Sequence, residues 1–496
     1  MADVDITIIG GGINGTAIAR DAAGRGLRVL LLEQHDLASG TSWASTKLIH
    51  GGLRYLEQGA FRMVQEGLHE RTTLLKMAPH IIWPSRFILP HHAGLRPAWQ
   101  LRIGLFIYDL LAGQNILPPT RSINLASDET GAPLQSKYQK AFEYSDCCVD
   151  DARFVVLNAV GAAEHGATIK TRSKFDRATR QPYQWLVTYT SANQSTTVTS
   201  KVLINAAGPW VEDVNSFMPK EINRAEIKLV KGSHIVVPRL FDHNRSYIFQ
   251  NADGRIAFAI PYQTDFTLIG TTEVKTSGDP SQAKISDDEI NYLCKISNDY
   301  FRKSITAQDV MWTFAGVRAL YDNRSVNAKD LSRDFLLMLD GDKTTPPLLT
   351  IYGGKLTVAR RLAEAALEKL SLLLPMNTAW TAHAPLPGGD FEWDKVDELI
   401  ASLRRQWPFL TAEFAHRLIR AYGTRAKNIL GHAKVISDLG ECFGGDLTAS
   451  EVNYLMQHEW AQTADDVLWL RSKLGLIFTP EQKERLTTYM SGQTHA

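Results

Sequence analysis

The feature that most constrains this chain is a glycine-rich turn close to its amino terminus. Asp5 to Ile9 form a short β-branched run, and the residues that follow place Gly10, Gly12 and Gly15 in the spacing G-x-G-x-x-G. Small helix-forming residues come next, and Arg28 to Glu33 predict a second buried strand that ends in a carboxylate. A strand, a glycine turn, a helix and a second strand within about 30 residues are typical of a dinucleotide-binding βαβ unit.

Each residue type in this unit has a physical role. Gly10 allows the tight turn, Gly12 lets backbone N–H groups approach a pyrophosphate, and Gly15 lets the helix touch the strand. The pyrophosphate then lies at the positive end of the helix dipole. Glu33 is the expected acceptor for a ribose hydroxyl. The residues themselves therefore predict a dinucleotide cofactor at this turn.

Further motifs favour a flavin over a nicotinamide cofactor. They begin with the stretch from Asp36 to Tyr55 and with Asp21-Ala-Ala-Gly-Arg-Gly26 in the first helix. Others follow in Asn205-Ala-Ala-Gly-Pro-Trp210, Lys231-Gly-Ser-His234, Ala315-Gly-Val-Arg318, Ser332-Arg-Asp334 and Tyr352-Gly-Gly-Lys-Leu-Thr357. Together these motifs resemble the FAD-dependent glycerol-3-phosphate dehydrogenases, the membrane-associated aerobic type, within the D-amino-acid-oxidase-like flavoproteins. The resemblance covers about the first three quarters of the chain.

This resemblance implies FAD, and the chain carries no specific signal for a covalent flavin link. The residues expected to contact the cofactor lie in the glycine turn, the second strand, the loop after it and two later glycine motifs: Gly10, Gly12, Asn14, Gly15, Glu33, Ser42, Ser45, Lys47, Gly51, Gly208, Gly353, Gly354, Lys355, Leu356 and Thr357. The chain departs from the family pattern at Ala17, Val358 and Ala359. These positions fall on helix faces, so they concern packing and flavin contacts more than the reaction.

The order of the predicted elements indicates an α/β fold with three parts. Residues 1–388 are expected to form the oxidoreductase region, a Rossmann-like FAD-binding core of the D-amino-acid-oxidase type. Short β-rich runs from about 227 to 340 predict an inserted antiparallel sheet that forms a substrate lobe. Proline and glycine accumulate between Pro375 and Gly389, and helical spacing resumes beyond them. Residues 389–496 are therefore expected to form a separate C-terminal α-helical domain, either a cap or an association module.

Amino-acid composition and cysteine usage limit which classes of binding partner and which cellular compartment we expect. The 54 lysine and arginine residues nearly balance 53 aspartate and glutamate residues, so the net charge of +1 does not favour nucleic acid. The N-terminal apolar run is interpreted as the first strand of the fold, not as an export signal. The cysteines at 147, 148, 294 and 442 lack the spacing of a metal or redox site. We therefore expect reduced thiols in a cytoplasmic protein without a metal site.

Oxidation of a secondary alcohol by a flavin needs a proton acceptor and groups that hold the substrate. His234, in a motif that resembles the family's active-site strand, is the expected base, because imidazole accepts a proton near neutral pH. Arg318 is expected to position or polarise the substrate hydroxyl. A phosphorylated substrate also needs cationic and hydrogen-bonding groups. These are expected from Arg54, Tyr55, Thr271, Arg333 and Lys355.

The resemblance implies oxidation of sn-glycerol 3-phosphate to dihydroxyacetone phosphate by hydride transfer to FAD, with electrons passed to a membrane quinone. The residues leave open an oxidase that returns the electrons to oxygen as peroxide. They also leave open a related flavoenzyme acting on a 2-hydroxy acid or an amine, and a flavin-bound regulator without enzymatic activity. The oligomeric state is open as well, with a homodimer among the alternatives.

One segment raises the question of a membrane contact. No apolar run reaches the ~20 residues that span a bilayer, so the chain is not expected to cross it. Leu101 to Ala112, in which only Arg102 and Asp109 are charged, predicts a helix that is apolar around most of its circumference. Such a helix suits either the protein core or partial insertion at a membrane interface.

Two aromatic residues and the resemblance favour the interface. Trp99 and Tyr108 carry rings that prefer the headgroup level of a bilayer. An enzyme of the type resembled here delivers electrons to a lipid-soluble quinone, which implies peripheral attachment to the cytoplasmic face of the cell membrane. Replacing Leu105 and Phe106 together with Asp is then expected to release the chain from vesicles while leaving dye-linked activity intact.

Overall fold

The computed structural model describes residues 2–92, 94–113, 116–219, 224–251, 253–321 and 335–493. The helices, in chain order, are α1 (Ile13–Gly24), α2 (Phe61–Met77), α3 (Ala98–Leu111), α4 (Asp151–Glu164), α5 (Val211–Ser216), α6 (Asp287–Tyr300), α7 (Ala359–Leu370), α8 (Val396–Gln406), α9 (Ala412–Tyr422), α10 (Ala426–Leu430), α11 (Ala449–His458) and α12 (Pro480–Gln493).

The strands lie within the first 353 residues and in a short hairpin near the end. In chain order they are β1 (Val4–Ile9), β2 (Val29–Leu32), β3 (Leu48–Ile49), β4 (Ile82–His91), β5 (Arg121–Asn124), β6 (Lys140–Val149), β7 (Thr168–Lys170), β8 (Ser173–Gln181), β9 (Gln184–Ser191), β10 (Gln194–Asn205), β11 (Ile227–Pro238), β12 (Ser246–Gln250), β13 (Ile256–Tyr262), β14 (Phe266–Gly270), β15 (Val274–Thr276), β16 (Trp312–Tyr321), β17 (Phe335–Asp340), β18 (Leu348–Gly353), β19 (Cys442–Gly444) and β20 (Leu447–Thr448).

The first sheet contains the predicted βαβ unit. Its order is β17-β18-β10-β1-β2-β7, with β1 parallel to both β2 and β10, and the antiparallel strands β8 and β9 extend from β10. On one face, Ile6, Ile8 and Leu31 pack in the core that α1, α4 and α7 cover. On the other face, Leu30 and Leu32 pack against residues of β8 and β9. Burial on both faces is why β2, with the sequence Val-Leu-Leu-Leu, is continuously apolar rather than alternating.

The second sheet is largely antiparallel and draws on two distant parts of the chain. Its order is β15-β11-β14-β13-β12-β4-β6-β3, with β16 beside β11 and β5 beside β6. The predicted insertion at 227–340 supplies β11 to β16, but β3 to β6 come from residues before 150. β17 pairs with β18 in the first sheet instead. The predicted limits of the substrate lobe are therefore corrected, because strand pairing between distant segments leaves no signal in local composition.

The C-terminal helical domain is confirmed. Helices α8 to α12 and the β19–β20 hairpin surround a core of their own, which includes Trp407, Phe414, Leu418, Val452 and Leu455. The chain between α7 and α8 contains a short 3₁₀ turn and otherwise irregular segments, as the proline and glycine residues there predict.

Helix α3 has two different faces. Leu105 and Tyr108 are 1% exposed and pack in the core, whereas Trp99 is 63% and Phe106 61% exposed. The expected interfacial role of Tyr108 is wrong, because its hydroxyl donates to the Asp146 carboxylate at 2.8 Å inside the protein. Replacing Leu105 would likewise disrupt the core. Among the described residues, no helix has the length and apolar character to span a membrane.

Candidate flavin and substrate site

A cavity of about 1050 Å³ lies where the two sheets meet. Its first wall is formed by the residues that follow β1, β2, β10 and β18, all at the carboxyl ends of strands in the parallel part of the sheet. Its second wall is formed by β11, β13 and β16 of the second sheet. Ligands of open parallel sheets bind at these carboxyl ends, and small-molecule sites usually enclose about 300–1,000 Å³. The cavity is therefore large enough for an extended cofactor and a small substrate.

The three glycines of the turn have three different surroundings. Gly10 has a φ of +111°, and a Cβ there would lie 2.6 Å from the carbonyl oxygen of Ala206. A Cβ on Gly15 would lie 1.9 Å from the carbonyl oxygen of Gly10, so helix and strand touch at this point. Gly12 lines the cavity, and a Cβ there would meet only Ser42 Oγ, at 3.1 Å. Gly10 and Gly15 thus build the turn, while Gly12 presents its backbone to the cavity.

Glu33 is held in place by the backbone. The N–H groups of Gly11 and His35 donate to its two carboxylate oxygens, each at 2.7 Å. Burial raises the pKa of Glu33, and these two donors oppose that rise. The fixed carboxylate lines the cavity one residue beyond β2, where a ribose is expected.

Asn14 connects the first glycine motif to the last one. Its Nδ2 donates to the carbonyl oxygen of Gly353 at 3.1 Å, while its buried Oδ1 has no hydrogen-bond partner among the described residues. The hydroxyl of Thr357 accepts from the N–H of His50 at 3.2 Å. Gly208, Gly353, Gly354, Lys355, Leu356 and Thr357 all line the cavity, together with Ser42 and Ser45. The sequence-predicted cofactor motifs are thus brought to one wall.

Two predicted cofactor contacts have other roles. The Lys47 ammonium is buried 2.9 Å from the Asp151 carboxylate and also donates to the carbonyl oxygen of Trp43, away from the cavity surface. Gly51 is buried behind the cavity wall, where its N–H donates to the Tyr108 hydroxyl at 3.0 Å. Both residues therefore hold the loop that forms the wall and do not line the cavity.

His234 lies in the second wall, inside the strand layer. Its ring stacks on Phe314 of β16 at 4.8 Å, and a Cβ on Gly270 of β14 would lie 2.1 Å from its Cδ2. Its Nε2 is 3.0 Å from the Thr46 hydroxyl, and its Nδ1 has no hydrogen-bond partner among the described residues. The imidazole is fully buried behind the cavity surface, which Thr46 helps to form. The predicted base therefore reaches the cavity through Thr46.

The charge state of His234 follows from its surroundings. Burial is the main reason that the pKa of His234 falls well below its usual value, and the positive charges of Arg318 and Lys47 add to the effect. The imidazole is therefore neutral at neutral pH. A neutral imidazole is the form that can accept a proton.

Several cationic and polar side chains line the same cavity. Arg54 and Tyr55 lie in a 3₁₀ turn that follows β3, and the Lys355 ammonium lies 4.3 Å from the centre of the Tyr55 ring. Arg318 lies 3.7 Å from the Glu273 carboxylate across the second wall. The predicted substrate residue Thr271 also lines the cavity, whereas Arg333 falls outside the described residues.

The family follows from a match over most of the chain. The model of the FAD dependent oxidoreductase family matches residues 5–360. The chain belongs to this family. A second model, described as the C-terminal domain of alpha-glycerophosphate oxidase, matches residues 379–491 of this FAD dependent oxidoreductase.

Full-length relatives confirm the resemblance noted in the motifs. The glycerol-3-phosphate dehydrogenase of Pseudomonas aeruginosa is 48% identical over 496 residues, which cover 99% of this chain and 96% of the relative. The aerobic glycerol-3-phosphate dehydrogenase of Escherichia coli is 45% identical over 496 residues, with 99% and 98% covered. The D-erythritol 1-phosphate dehydrogenase of Brucella abortus is 45% identical over 482 residues, with 97% and 96% covered.

A solved structure shares the fold. The glycerol-3-phosphate dehydrogenase of Bacillus halodurans, solved in complex with FAD, has a TM-score of 0.77 and 24% identity, covering 99% of this chain and 94% of that one. The residues of this FAD dependent oxidoreductase fit such a cofactor. Gly12 leaves room for a pyrophosphate, Glu33 is fixed for a ribose, and the buried Asn14 Oδ1 is an acceptor that no described residue of the protein satisfies. When bound, FAD supplies the hydride acceptor.

Sequence reasoning missed three residues of this oxidoreductase. Thr46 lies within the quoted stretch from Asp36 to Tyr55, and Phe314 directly precedes the motif that ends at Arg318. Their roles depend on the register of β11 against β16, which pairs His234 with Phe314 and Gly232 with Gly316. Glu273 has no local signal, because only the fold brings it to Arg318.

Proposed function

We propose that this FAD-dependent oxidoreductase oxidises sn-glycerol 3-phosphate to dihydroxyacetone phosphate and passes the electrons to a membrane quinone. The observation that carries the proposal is the grouping of Arg54, Lys355 and Arg318 on the cavity that also contains the glycine turn. A cofactor pyrophosphate at Gly12 leaves these cations for a second anionic ligand. Full-length relatives named for glycerol 3-phosphate support the same substrate.

In this proposal the substrate phosphate binds at Arg54 and Lys355. The two residues come from different motifs, yet Lys355 lies over the ring of Tyr55, the neighbour of Arg54. Guanidinium and ammonium groups suit phosphate oxygens because they donate charge-assisted hydrogen bonds. Arg318 and Thr271 lie on the opposite wall and hold the hydroxyl end of the substrate.

The proton of the substrate hydroxyl passes to His234 through Thr46. The Thr46 hydroxyl lines the cavity and lies 3.0 Å from Nε2 of the neutral imidazole. A hydroxyl donates one proton while it accepts another, so Thr46 can connect the substrate to a base buried behind the surface. Arg318 stabilises the negative charge that develops on the substrate oxygen.

One anaerobic experiment separates the candidate substrates. The purified flavoprotein is mixed with sn-glycerol 3-phosphate, D-erythritol 1-phosphate, a 2-hydroxy acid or an amine, and bleaching of the flavin absorption is recorded. Rapid bleaching by glycerol 3-phosphate alone supports the proposal. Faster bleaching by D-erythritol 1-phosphate would assign the chain to the substrate of the Brucella relative.

The electron acceptor needs a separate test. After reduction by substrate, the protein is mixed either with a short-chain quinone or with oxygen. The proposal expects fast reoxidation by the quinone and slow formation of peroxide. Stoichiometric peroxide at a comparable rate would instead assign an oxidase, the activity in the name of the C-terminal family model.

Peripheral attachment to the cytoplasmic face of the membrane follows the same proposal. Trp99, Ile103, Phe106 and Leu110 are all exposed and spaced four, three and four residues apart, so they form one apolar face of α3. Opposite this face, Leu105 and Tyr108 pack in the core beside the cavity wall. An exposed apolar face on an otherwise anchored helix suits shallow insertion among lipid headgroups.

The vesicle experiment uses exposed positions only. Phe106→Asp combined with Leu110→Asp is expected to abolish co-sedimentation with phospholipid vesicles and to leave dye-linked activity unchanged, because neither side chain is in the core. Leu372→Asp, at a leucine that is 80% exposed and outside α3, is the matched control. If the double variant binds vesicles like the control, α3 is not the attachment site.

A further inference from the structure

A turn of the C-terminal domain contacts the FAD-binding region with unusual backbone geometry. Asp466–Arg471 form a π-helix, in which the N–H of Ser472 donates to the carbonyl oxygen of Val467 at 3.0 Å. Two residues after the turn, Lys473 is a non-glycine residue with a φ of +63°. Single π-helical turns occur frequently at functional sites. This turn directs Arg471 and Trp469 toward the other domain.

Arg471 forms a buried bidentate ion pair with Asp36. The two guanidinium nitrogens lie 2.8 and 3.0 Å from the two carboxylate oxygens, and both side chains are fully buried. Arg471 also lies 3.7 Å from Glu459, which pairs with Arg153 of α4. The network therefore balances two buried arginines against two buried carboxylates. Buried arginine–carboxylate pairs with bidentate hydrogen bonds hold their groups in one geometry.

Asp36 begins the loop at residues 36–47 that forms much of the cofactor wall. Two residues later, the N–H of Ala38 donates to the carbonyl oxygen of Gly11 at 3.1 Å. The Ser42 hydroxyl accepts from the N–H of Ile13, the first residue of α1, at 3.0 Å. Near its other end, Thr46 lies beside His234. The loop is thus fastened to the glycine turn in its first half and to the candidate base in its second.

The same π-helical turn supports the opposite wall. Trp469 stacks on Trp312 of β16 at 4.5 Å, and Trp312 lies 5.0 Å from Phe314, on which His234 stacks. Trp43 of the loop contacts both Trp312 and Phe314. The C-terminal domain therefore touches both walls of the cavity, while none of its residues up to 493 belongs to the lining.

We propose that Arg471 is a positioning residue for FAD: through Asp36 it holds the loop at residues 36–47 against the glycine turn, so that the C-terminal domain completes the cofactor site of the other domain. Arg471 touches neither the cavity nor the glycine turn, so it acts through Asp36. The helical domain is then more than a cap, because cofactor affinity depends on its contact with the loop. This inference requires FAD but is independent of the substrate and the electron acceptor.

A second interdomain ion pair, partly exposed where Arg471–Asp36 is buried, tests whether any interdomain contact has this effect. Arg425 pairs with Glu164 of α4, so it also joins the C-terminal domain to the FAD-binding region. It is an arginine–carboxylate fork like Arg471–Asp36, but it lies away from the loop at residues 36–47. Arg471→Met and Arg425→Met, in the full-length chain, therefore differ in whether the lost pair reaches the cofactor wall.

The primary measurement is FAD affinity, obtained by fluorescence titration of the deflavinated full-length chain. Thermal unfolding of the same flavin-free protein is recorded beside it. We expect Arg471→Met to weaken FAD binding by about 5- to 150-fold, the usual size of a coupling between two sites, and Arg425→Met to retain the parent affinity. Arg471→Lys keeps the positive charge but cannot form the bidentate hydrogen bonds, so its FAD affinity should lie between those of Arg471→Met and Arg425→Met.

Asp36→Asn is a second variant for the same measurement if Arg471→Met does not fold. This substitution preserves the shape of the side chain and leaves Arg471 beside Glu459. It is expected to weaken FAD binding as Arg471→Met does. Another outcome is a folded variant that binds FAD with the parent affinity while its flavin-free unfolding temperature falls. That result would mean that the ion pair only joins the domains, and it would overturn the proposal. An equal loss of affinity in Arg425→Met would overturn it as well.

Discussion

The two walls of the cavity are made in different ways. The wall at the parallel sheet consists mainly of backbone: glycine turns, the start of α1 and a carboxylate fixed by two N–H groups. The wall at the second sheet consists of side chains from paired strands, among them Arg318, with Phe314 and His234 stacked behind the surface. A backbone wall needs particular glycines in a few short segments. A side-chain wall needs only that distant strands pair in the correct register.

The sharpest test of the backbone wall compares two glycines. Gly15→Ala should prevent the turn from forming, because its Cβ would lie 1.9 Å from the carbonyl oxygen of Gly10. We expect colourless or insoluble protein.

Gly12→Ala should keep most of its flavin, since its Cβ would meet only Ser42 Oγ at 3.1 Å. Gly12→Leu should fold but lose FAD by filling the cavity. Flavin content per folded chain is the measurement, and full occupancy in Gly15→Ala would contradict this description of the turn.

For the side-chain wall, the largest effect is expected at His234. His234→Ala should slow substrate-dependent flavin reduction by about 10²- to 10⁴-fold, the usual contribution of a general base, with FAD still bound. Thr46→Val should cause a smaller loss, because it removes the hydroxyl between the cavity and the imidazole. Stopped-flow absorbance under anaerobic conditions measures both. Reduction at the parent rate in His234→Ala would mean that the base lies elsewhere.

Substitutions at the phosphate site should weaken the affinity for substrate rather than slow flavin reduction. Arg54→Ala and Lys355→Met each remove a charged hydrogen-bond donor, which corresponds to about 1.5–3 kcal/mol, or roughly 10- to 150-fold in the substrate Kd. The limiting rate of flavin reduction should change little. Glu273→Gln, at a neighbour of Arg318, is a control that leaves both cations in place. Unchanged affinity in both cationic variants would show that the phosphate binds elsewhere.

The last predicted effect is on pH-dependent stability and leaves the chemistry unchanged. Burial lowers the pKa of His80 to about 3 and that of His234 well below its usual value. The unfolded chain therefore binds protons below about pH 6.5 that the folded chain does not bind, so the free energy of unfolding falls as the pH falls. Between its folded-state and unfolded-state pKa values, each histidine changes the free energy of unfolding by up to about 1.4 kcal/mol per pH unit.

His80 separates this effect from the chemistry, because it does not line the cavity. In denaturant titrations from pH 7 to pH 4.5, His80→Gln should flatten the pH dependence of the unfolding free energy. The pH profile of flavin reduction should stay the same in this variant. A parent-like pH dependence of unfolding would show that His80 titrates normally in the folded protein.

Much of the fold could be predicted because its signals are local. The first βαβ unit and the β-rich segment that begins at residue 227 lie where the sequence predicts them, since apolar spacing and turn residues specify each of them within a short window. The separate C-terminal helices follow from the same signals. The extent of the second sheet could not be predicted, because β4 joins β12 across more than 150 residues of chain.

The amino-acid sequence by itself determined the cofactor half of this protein. The positive φ of Gly10, the steric limit at Gly15 and the carboxylate after β2 all arise within one unit, so the residues that need each other lie close together in the chain. Tertiary structure alone decided that Lys47 supports a loop, that Thr46 stands between His234 and the cavity, and that Arg471 reaches Asp36. The physical reason is distance along the chain: a buried ion pair between residues 36 and 471 depends on how two domains pack, which no local pattern encodes.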